Sequence, residues 1–344
     1  MSYRYDARRL IVDPDGGAAA LQAWIQAQPA SAMARLSRRG RPSRLPVRGL
    51  EAVSAYCVTG DAEAVHKWPP GPTGYLQEFA AAPAAALRAD PVHLSPRSDH
   101  LVMAAARFPD MSDREAAALA GDLGRGLSGS GASLHRGSSG SWYLLTDPAL
   151  DPALWGRWWA PEEVAGQHIL EFMPGGPGCG RLNGWVTEIQ MMLHDHPVNL
   201  RRAEAGLMPV NSIWPWGWPT GEARSEPPQI RSELLAADAY TLGLQKLAGG
   251  PAATASRGQA CRDQLAILGA GPGESDGDYF QRIERDWLSP LLRDLRRGRI
   301  GRACIVSVDG RCVTASRMDL LKFWRRGIDH RDSDPDARHN RSGP

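Results

Sequence analysis

The sequence predicts an α/β protein, and two patterns carry that reading. Apolar residues recur at helical spacing over 182–194, where Leu182, Trp185, Val186, Ile189, Met192 and Leu193 share one face. Short apolar runs alternate with such helices; 303–308 and 312–315 flank Asp309-Gly310 and read as the two strands of a hairpin. Composition agrees. An apolar fraction of 42% in 344 residues allows a substantial core and a prior of about two domains.

Taken in order, residues 1–50 read as weakly organised, with a short amphipathic helix over 18–26 and a basic linker over 33–48 centred on Arg35–Arg44. Trp68 to Pro72 reads as a loop, because its prolines lack amide donors. Two short strands, 91–94 and 101–103, flank a polar turn. Ser112 and Glu115 form a capping box for a helix whose apolar positions are Ala116, Leu119, Leu123 and Leu127. The Gly- and Ser-rich stretch 124–140 reads as a flexible loop holding a solvated His135-Arg136, and 141–146 as a strand. Trp155, Trp158 and Trp159 suggest a packed subsite or a partner surface, with core packing the favoured reading. Pro197 ends the 182–194 helix, a short helix spans 200–205, and 210–214 is a strand. Ser232 reads as the cap of a helix reaching about 248. A second helix, 278–297, aligns Phe280, Ile283, Trp287, Leu291 and Leu295 and is kinked at Pro290. A closing helix spans 318–326, and 329–344 reads as a disordered tail.

The formal net charge of +2 gives no global reason to expect nucleic acid. The five cysteines, Cys57, Cys179, Cys261, Cys304 and Cys312, contain no C-x-x-C pair. This argues against a disulfide framework or zinc ribbon and for a reducing compartment. Met1–Leu10 is followed by no apolar signal region, and no run approaches 18 apolar residues, so the expectation is a cytoplasmic protein without a membrane partner.

Polar recognition groups concentrate between residues 180 and 218. His194, His196, Asn199, Arg202, Asn211, Trp214 and Trp216 are the candidate ligand-binding residues. Arg202 offers a planar fork for phosphate or carboxylate, His196 a donor that titrates near neutrality, and Trp214 and Trp216 share one strand face. The structural alternative is a helix end tied down by His and Asn, with Arg202 paired to Glu204 or another carboxylate. His194 and His196 are two residues apart and diverge by about 200° on a helix, so as a metal pair they would have to lie in a turn.

Asn183 to Asn199, Pro209 to Trp214 and Trp216-Gly217 resemble the RpfE-type bacterial regulatory proteins. More distantly, His196 to Asn199, Arg202, Gly206 and Val210-Asn211 resemble the archaeal-type cofactor-independent phosphoglycerate mutases. The resemblance covers about residues 88–218 well and 228–326 loosely. It implies a degenerate alkaline-phosphatase-like core with an inserted α+β domain. Residues 1–87 and 226–328 would form the core, 88–225 the insert and 329–344 the tail. The mutases it resembles use two divalent metals and a Ser nucleophile, because clustered cations neutralise a transferring phosphate. Ile11 to Gly16 makes an unconvincing first strand and acidic turn, and no His follows Asp309 until His330. Trp218-Pro219 also stands where the RpfE-type pattern has glycines.

The reading is therefore a non-catalytic or regulatory protein with no cofactor, binding a small anionic ligand or a protein partner through 180–218. The alternative is a phosphoglycerate mutase or phosphotransferase using manganese or zinc on Asp13, Asp99, His100, His194, His196 and Asp309. A third reading is a structural adaptor with a Trp-rich contact face.

Overall fold

The structure is a computed structural model describing residues 5–13, 17–80, 85–97, 100–147, 150, 155–220, 226–249, 263–271 and 273–321. Its strands are β1 (Tyr5–Asp13), β2 (Arg41–Arg44), β3 (Ala86–Pro96), β4 (Leu101–Ala105), β5 (Ala132–Arg136), β6 (Trp142–Thr146), β7 (Ser212–Trp216), β8 (Ser232–Ala236), β9 (Asp263–Gly269), β10 (Ile300–Ser307) and β11 (Arg311–Ser316). They form two sheets with helices between and around them, a mixed α/β fold.

The first sheet has the order β2-β11-β10-β1-β9-β8. β1 lies between β10 and β9, parallel to both, with Leu10 opposite Ile305 and Ala266. A parallel strand covered on both faces is apolar along its length, and Leu10, Ile11 and Val12 are fully buried. Leu10 and Val12 pack with the helices Ala32–Arg39, Asp276–Ile283 and Ser289–Arg296. Ile11 points the other way, to the helix Leu50–Thr59. The weakly organised N-terminus read from sequence is thus corrected: its first strand is central. Arg8 and Arg9 masked it, and their charges are met by distant Asp294 at 2.9 Å and Asp263 at 2.6 Å.

The basic linker is also replaced by ordered structure. Ser31 caps the helix Ala32–Arg39, which buries Met33 and Leu36 and turns Arg35 and Arg38 outward. The chain then forms β2, where a proline is tolerated because the strand lies at the sheet edge.

The second sheet is antiparallel, ordered β4-β3-β6-β5, with β7 also on β3. The long β3 pairs with β6 at its start, β4 at its end and β7 along its middle. The helix Asp113–Gly126 carries the capping box read from sequence, Ser112 with Glu115. Ala116, Leu119, Leu123 and Leu127 enter the core under this sheet.

Other local readings need correction. The stretch 124–140 is not a loop throughout: it contains β5, held by pairing to β6. Residues 68–72 are not all loop, since Pro70 opens the helix Pro70–Phe79, where its missing amide is harmless. Pro197 likewise opens a helix, Pro197–Glu204, rather than only ending one. Ser232 starts β8; the following helix, Ala239–Leu247, is capped by Asp238. The 278–297 helix is divided by a π-helical turn, Glu284–Leu288, just before Pro290. That turn accommodates the proline, which cannot donate to an α-helical ladder. The hairpin at Asp309-Gly310 forms as read, with Gly310 at φ 84°. The closing helix is Arg317–Leu320; its predicted remainder and the 329–344 tail lie outside the described residues, as do Asp99 and Cys261. No helix among the described residues is long and apolar enough to cross a membrane.

Because Ile11 is enclosed on the central strand, Ile11→Ala should destabilise the protein by about 2–5 kcal/mol. Urea unfolding measures this as a lower midpoint without a smaller slope.

Candidate functional site

The sequence motif folds as two helices and a strand. The helix Cys179–His194 buries Leu182, Trp185, Val186, Ile189 and Leu193, and Asp195 ends it. His196 then caps the helix Pro197–Glu204: its Nδ1 accepts from the Val198 amide at 3.1 Å. The tautomer follows, with Nε2–H donating to Asp122 at 3.0 Å. Burial, reinforced by Arg201, lowers the His196 pKa. The neutral ring is the form that can cap.

Asn199 donates to the carbonyls of Leu193 and Val210 at 2.8 and 2.6 Å and accepts from the Val210 amide at 3.0 Å. It clips the first helix to the chain entering β7. Asn211 pairs with both backbone groups of Leu94 on β3, at 2.7 and 2.8 Å. Arg202 has a side-chain exposure of 0%. Its Nη2 donates to both Asp110 oxygens at 2.9 Å, Nη1 faces Glu115 at 3.5 Å, and Nε donates to the Met208 carbonyl at 2.9 Å. His194 stands in solvent beside Asp195.

His196, Asn199, Arg202 and Asn211 therefore do not converge on one open concavity; each holds a chain turn. Arg202 pairs with Asp110 and Glu115 rather than Glu204. Trp214 donates to the Trp159 carbonyl at 2.8 Å. Trp155, Trp158, Trp214, Trp216 and Trp218 are all buried, so the Trp-rich contact face becomes interior packing.

Trp216 leads elsewhere. It lies opposite Arg88 on β3 and donates to Asp90 at 2.7 Å. It lines a cleft of about 330 Å³ whose other polar walls include Arg48, Glu51, His66, Arg157 and Glu163, with Trp158 beside it. The cleft adjoins the carboxyl end of β10, because Gly49 donates to Val308 and Leu45 to Gly310. Crevices at the carboxyl ends of parallel strands are where α/β folds bind ligands.

Beneath the cleft lies a charge cluster that sequence reasoning missed. Arg88 donates to Asp90 at 2.7 Å, faces Glu51 at 3.7 Å and sits over the Trp216 ring at 5.3 Å. Burial alone would lower the Arg88 pKa, but Asp90, Tyr143 and Glu51 together raise it. Burial pushes Glu51 up to about 8 against the opposing pull of Arg88, with Glu162, Asp238 and Asp90 adding to the rise. Burial thus biases Glu51 towards its neutral form, even with Arg88 beside it. Burial also raises Asp238 and lowers His66. Arg88, Glu51, His66 and Arg157 come from separate segments with no shared spacing, so nothing in the sequence singled them out.

The candidate metal ligands are scattered. Asp13, at the end of β1, is paired with Arg107 at 2.9 Å, and Arg107 continues to Glu162 at 3.1 Å. Asp309 pairs with Arg311, and the His100 ring lies against His168. Among the described residues no three His, Cys, Asp or Glu side chains form a group able to hold a metal ion.

No protein-family model matches the chain. A probable 2,3-bisphosphoglycerate-independent phosphoglycerate mutase of Geobacter sulfurreducens is 46% identical over 57 residues. The corresponding mutase of Methanosarcina barkeri is 42% identical over 57 residues. Each match spans 17% of this chain and 14% of the relative. Over that segment the chain is related to these mutases. Among solved structures, a cofactor-independent phosphoglycerate mutase from Thermoplasma acidophilum aligns over 94% of this chain and 93% of its own, with 17% identity and a TM-score of 0.38. A Pyrococcus horikoshii protein aligns over 95% and 92%, with 16% identity and a TM-score of 0.45.

Two predictions follow the geometry. Arg202→Ala should cost about 2–4 kcal/mol, since it strands Asp110 and the Met208 carbonyl and empties a buried site; thermal unfolding measures it. For Glu51, the folded pKa near 8 lies above the ordinary 4.5. The folded state therefore holds the extra proton between those values, and its stability falls as pH rises from 4.5 to about 8. Glu51→Gln should flatten that part of the stability–pH curve.

Proposed function

We propose that this is a phosphoglycerate-mutase-related protein of the RpfE type that binds a small anionic ligand without turning it over, in a regulatory role. The binding place is the cleft bounded by Trp158 and Trp216 rather than the surface of the Arg202 motif. One observation carries the reading. Arg48 and Arg157 line a concavity beside the carboxyl end of β10, and of its three carboxyls, Glu51, Glu63 and Glu163, burial raises the pKa of Glu51 and Glu163 and so lessens their repulsion of an anion.

In this reading the motif is the scaffold. Asn199, Arg202 and Asn211 fix the path into β7, and β7 delivers Trp216. Phosphate or carboxylate oxygens would take hydrogen bonds from Arg48, Arg157 and the Glu51 acid, while the indoles exclude water. The non-catalytic part rests on Asp13. Phosphoryl transfer by the two-metal route needs open carboxylates beside an activated hydroxyl, and here Asp13 is enclosed by Arg107.

Calorimetric titration of 3-phosphoglycerate into the full chain tests this. Binding should weaken at least tenfold in Arg157→Ala, about 1.4 kcal/mol, and should also weaken above pH 8 as Glu51 ionises. Turnover of 3-phosphoglycerate to 2-phosphoglycerate with added manganese would overturn the non-catalytic reading. Undiminished binding by the variant would overturn the assignment of the cleft.

A further inference from the structure

A second concavity lies on the opposite face of the first sheet from Glu51. It is a cavity of about 360 Å³ between the helices Ala32–Arg39 and Ser289–Arg296, and its walls carry Arg35, Arg293, Arg296 and Arg297. All four arginines are exposed, and none has a side-chain acceptor among the described residues. The one carboxylate in the wall, Glu284, is occupied. It accepts from the Ala32 and Met33 amides at 2.6 and 3.2 Å and from the Ser289 hydroxyl at 3.2 Å.

Four positive charges against one carboxylate exceed the +2 of the whole chain. Arg293, Arg296 and Arg297 stand at i, i+3 and i+4, a spacing at which like charges repel. Their position at a helix C-terminus offsets part of that cost through the carbonyl dipole. The dipole gives no account of Arg35, which comes from the facing helix and closes the ring of charge. The π-helical turn Glu284–Leu288 forms the adjoining wall, and such turns are frequent at functional sites.

We propose that this cleft binds a small oligophosphate, a molecule with two or more linked phosphoryl groups such as a nucleoside triphosphate or inorganic tripolyphosphate. One phosphate uses one or two guanidinium forks; four forks around one cavity suit a chain of them. A nucleic acid backbone fits less well. Asp286 and Asp294 flank the arginines on the same helical stretch and oppose an extended run of phosphodiesters.

The test titrates inorganic tripolyphosphate, and separately ATP, into the full chain at low ionic strength. Single-site binding that weakens steeply with added salt is expected. The double variant Arg293→Ala/Arg296→Ala should weaken it at least tenfold while 3-phosphoglycerate binding in the other cleft stays as in the wild type. Its thermal midpoint should not fall, because a repulsive pair is removed; Arg293→Gln/Arg296→Gln serves if the alanine variant folds poorly. ATP binding more tightly than tripolyphosphate would assign a nucleotide source, and equal binding a free polyphosphate. No binding by the wild type, or undiminished binding by both variants, would overturn the proposal. So would displacement of tripolyphosphate by a duplex oligonucleotide at lower phosphate concentration.

Discussion

A guanidinium cannot lose its proton inside a protein, so any arginine drawn into the interior must be surrounded by acceptors. That constraint organises this molecule. Arg202 is sealed beneath the motif helix by Asp110, Glu115 and the Met208 carbonyl. Arg88 on β3 is enclosed by Asp90, Glu51 and the rings of Tyr143 and Trp216. Arg107 joins the end of β1 to Glu162 beyond the second sheet. Each is a cation fixed where its partners come from distant parts of the chain. Removing one would leave its acidic partners without their cation.

The same constraint explains why recognition chemistry is hard to read from a motif. His, Asn and Arg bind anions with the hydrogen bonds they use to close helix ends. Nothing in the order His196, Asn199, Arg202 tells which task they have; the partners Asp122, Val210 and Asp110 decide it. Signals confined to a few residues were legible. The Ser112–Glu115 cap, the Asp309-Gly310 hairpin and the face of the 182–194 helix depend on neighbours within one or two turns. β1 was not legible, because its arginines are neutralised more than 250 residues away. The Trp158 and Trp216 walls were noticed as aromatics, whereas Glu51 owes its raised pKa chiefly to burial, against the pull of Arg88.

The residues that shape a backbone path constrain one another closely, and the cleft they help to build draws its polar walls from unrelated stretches, 46–52, 62–66 and 157–163.

The outermost strand of the first sheet, β2, is four residues long, fully exposed, and reads Arg41-Pro42-Ser43-Arg44. An unpaired border of a sheet is a template on which a second molecule can add its own strand. Here the proline withholds an amide proton from any newcomer, and the flanking guanidiniums repel a like-charged copy of the same border. This rim is therefore a poor place for a further strand to add.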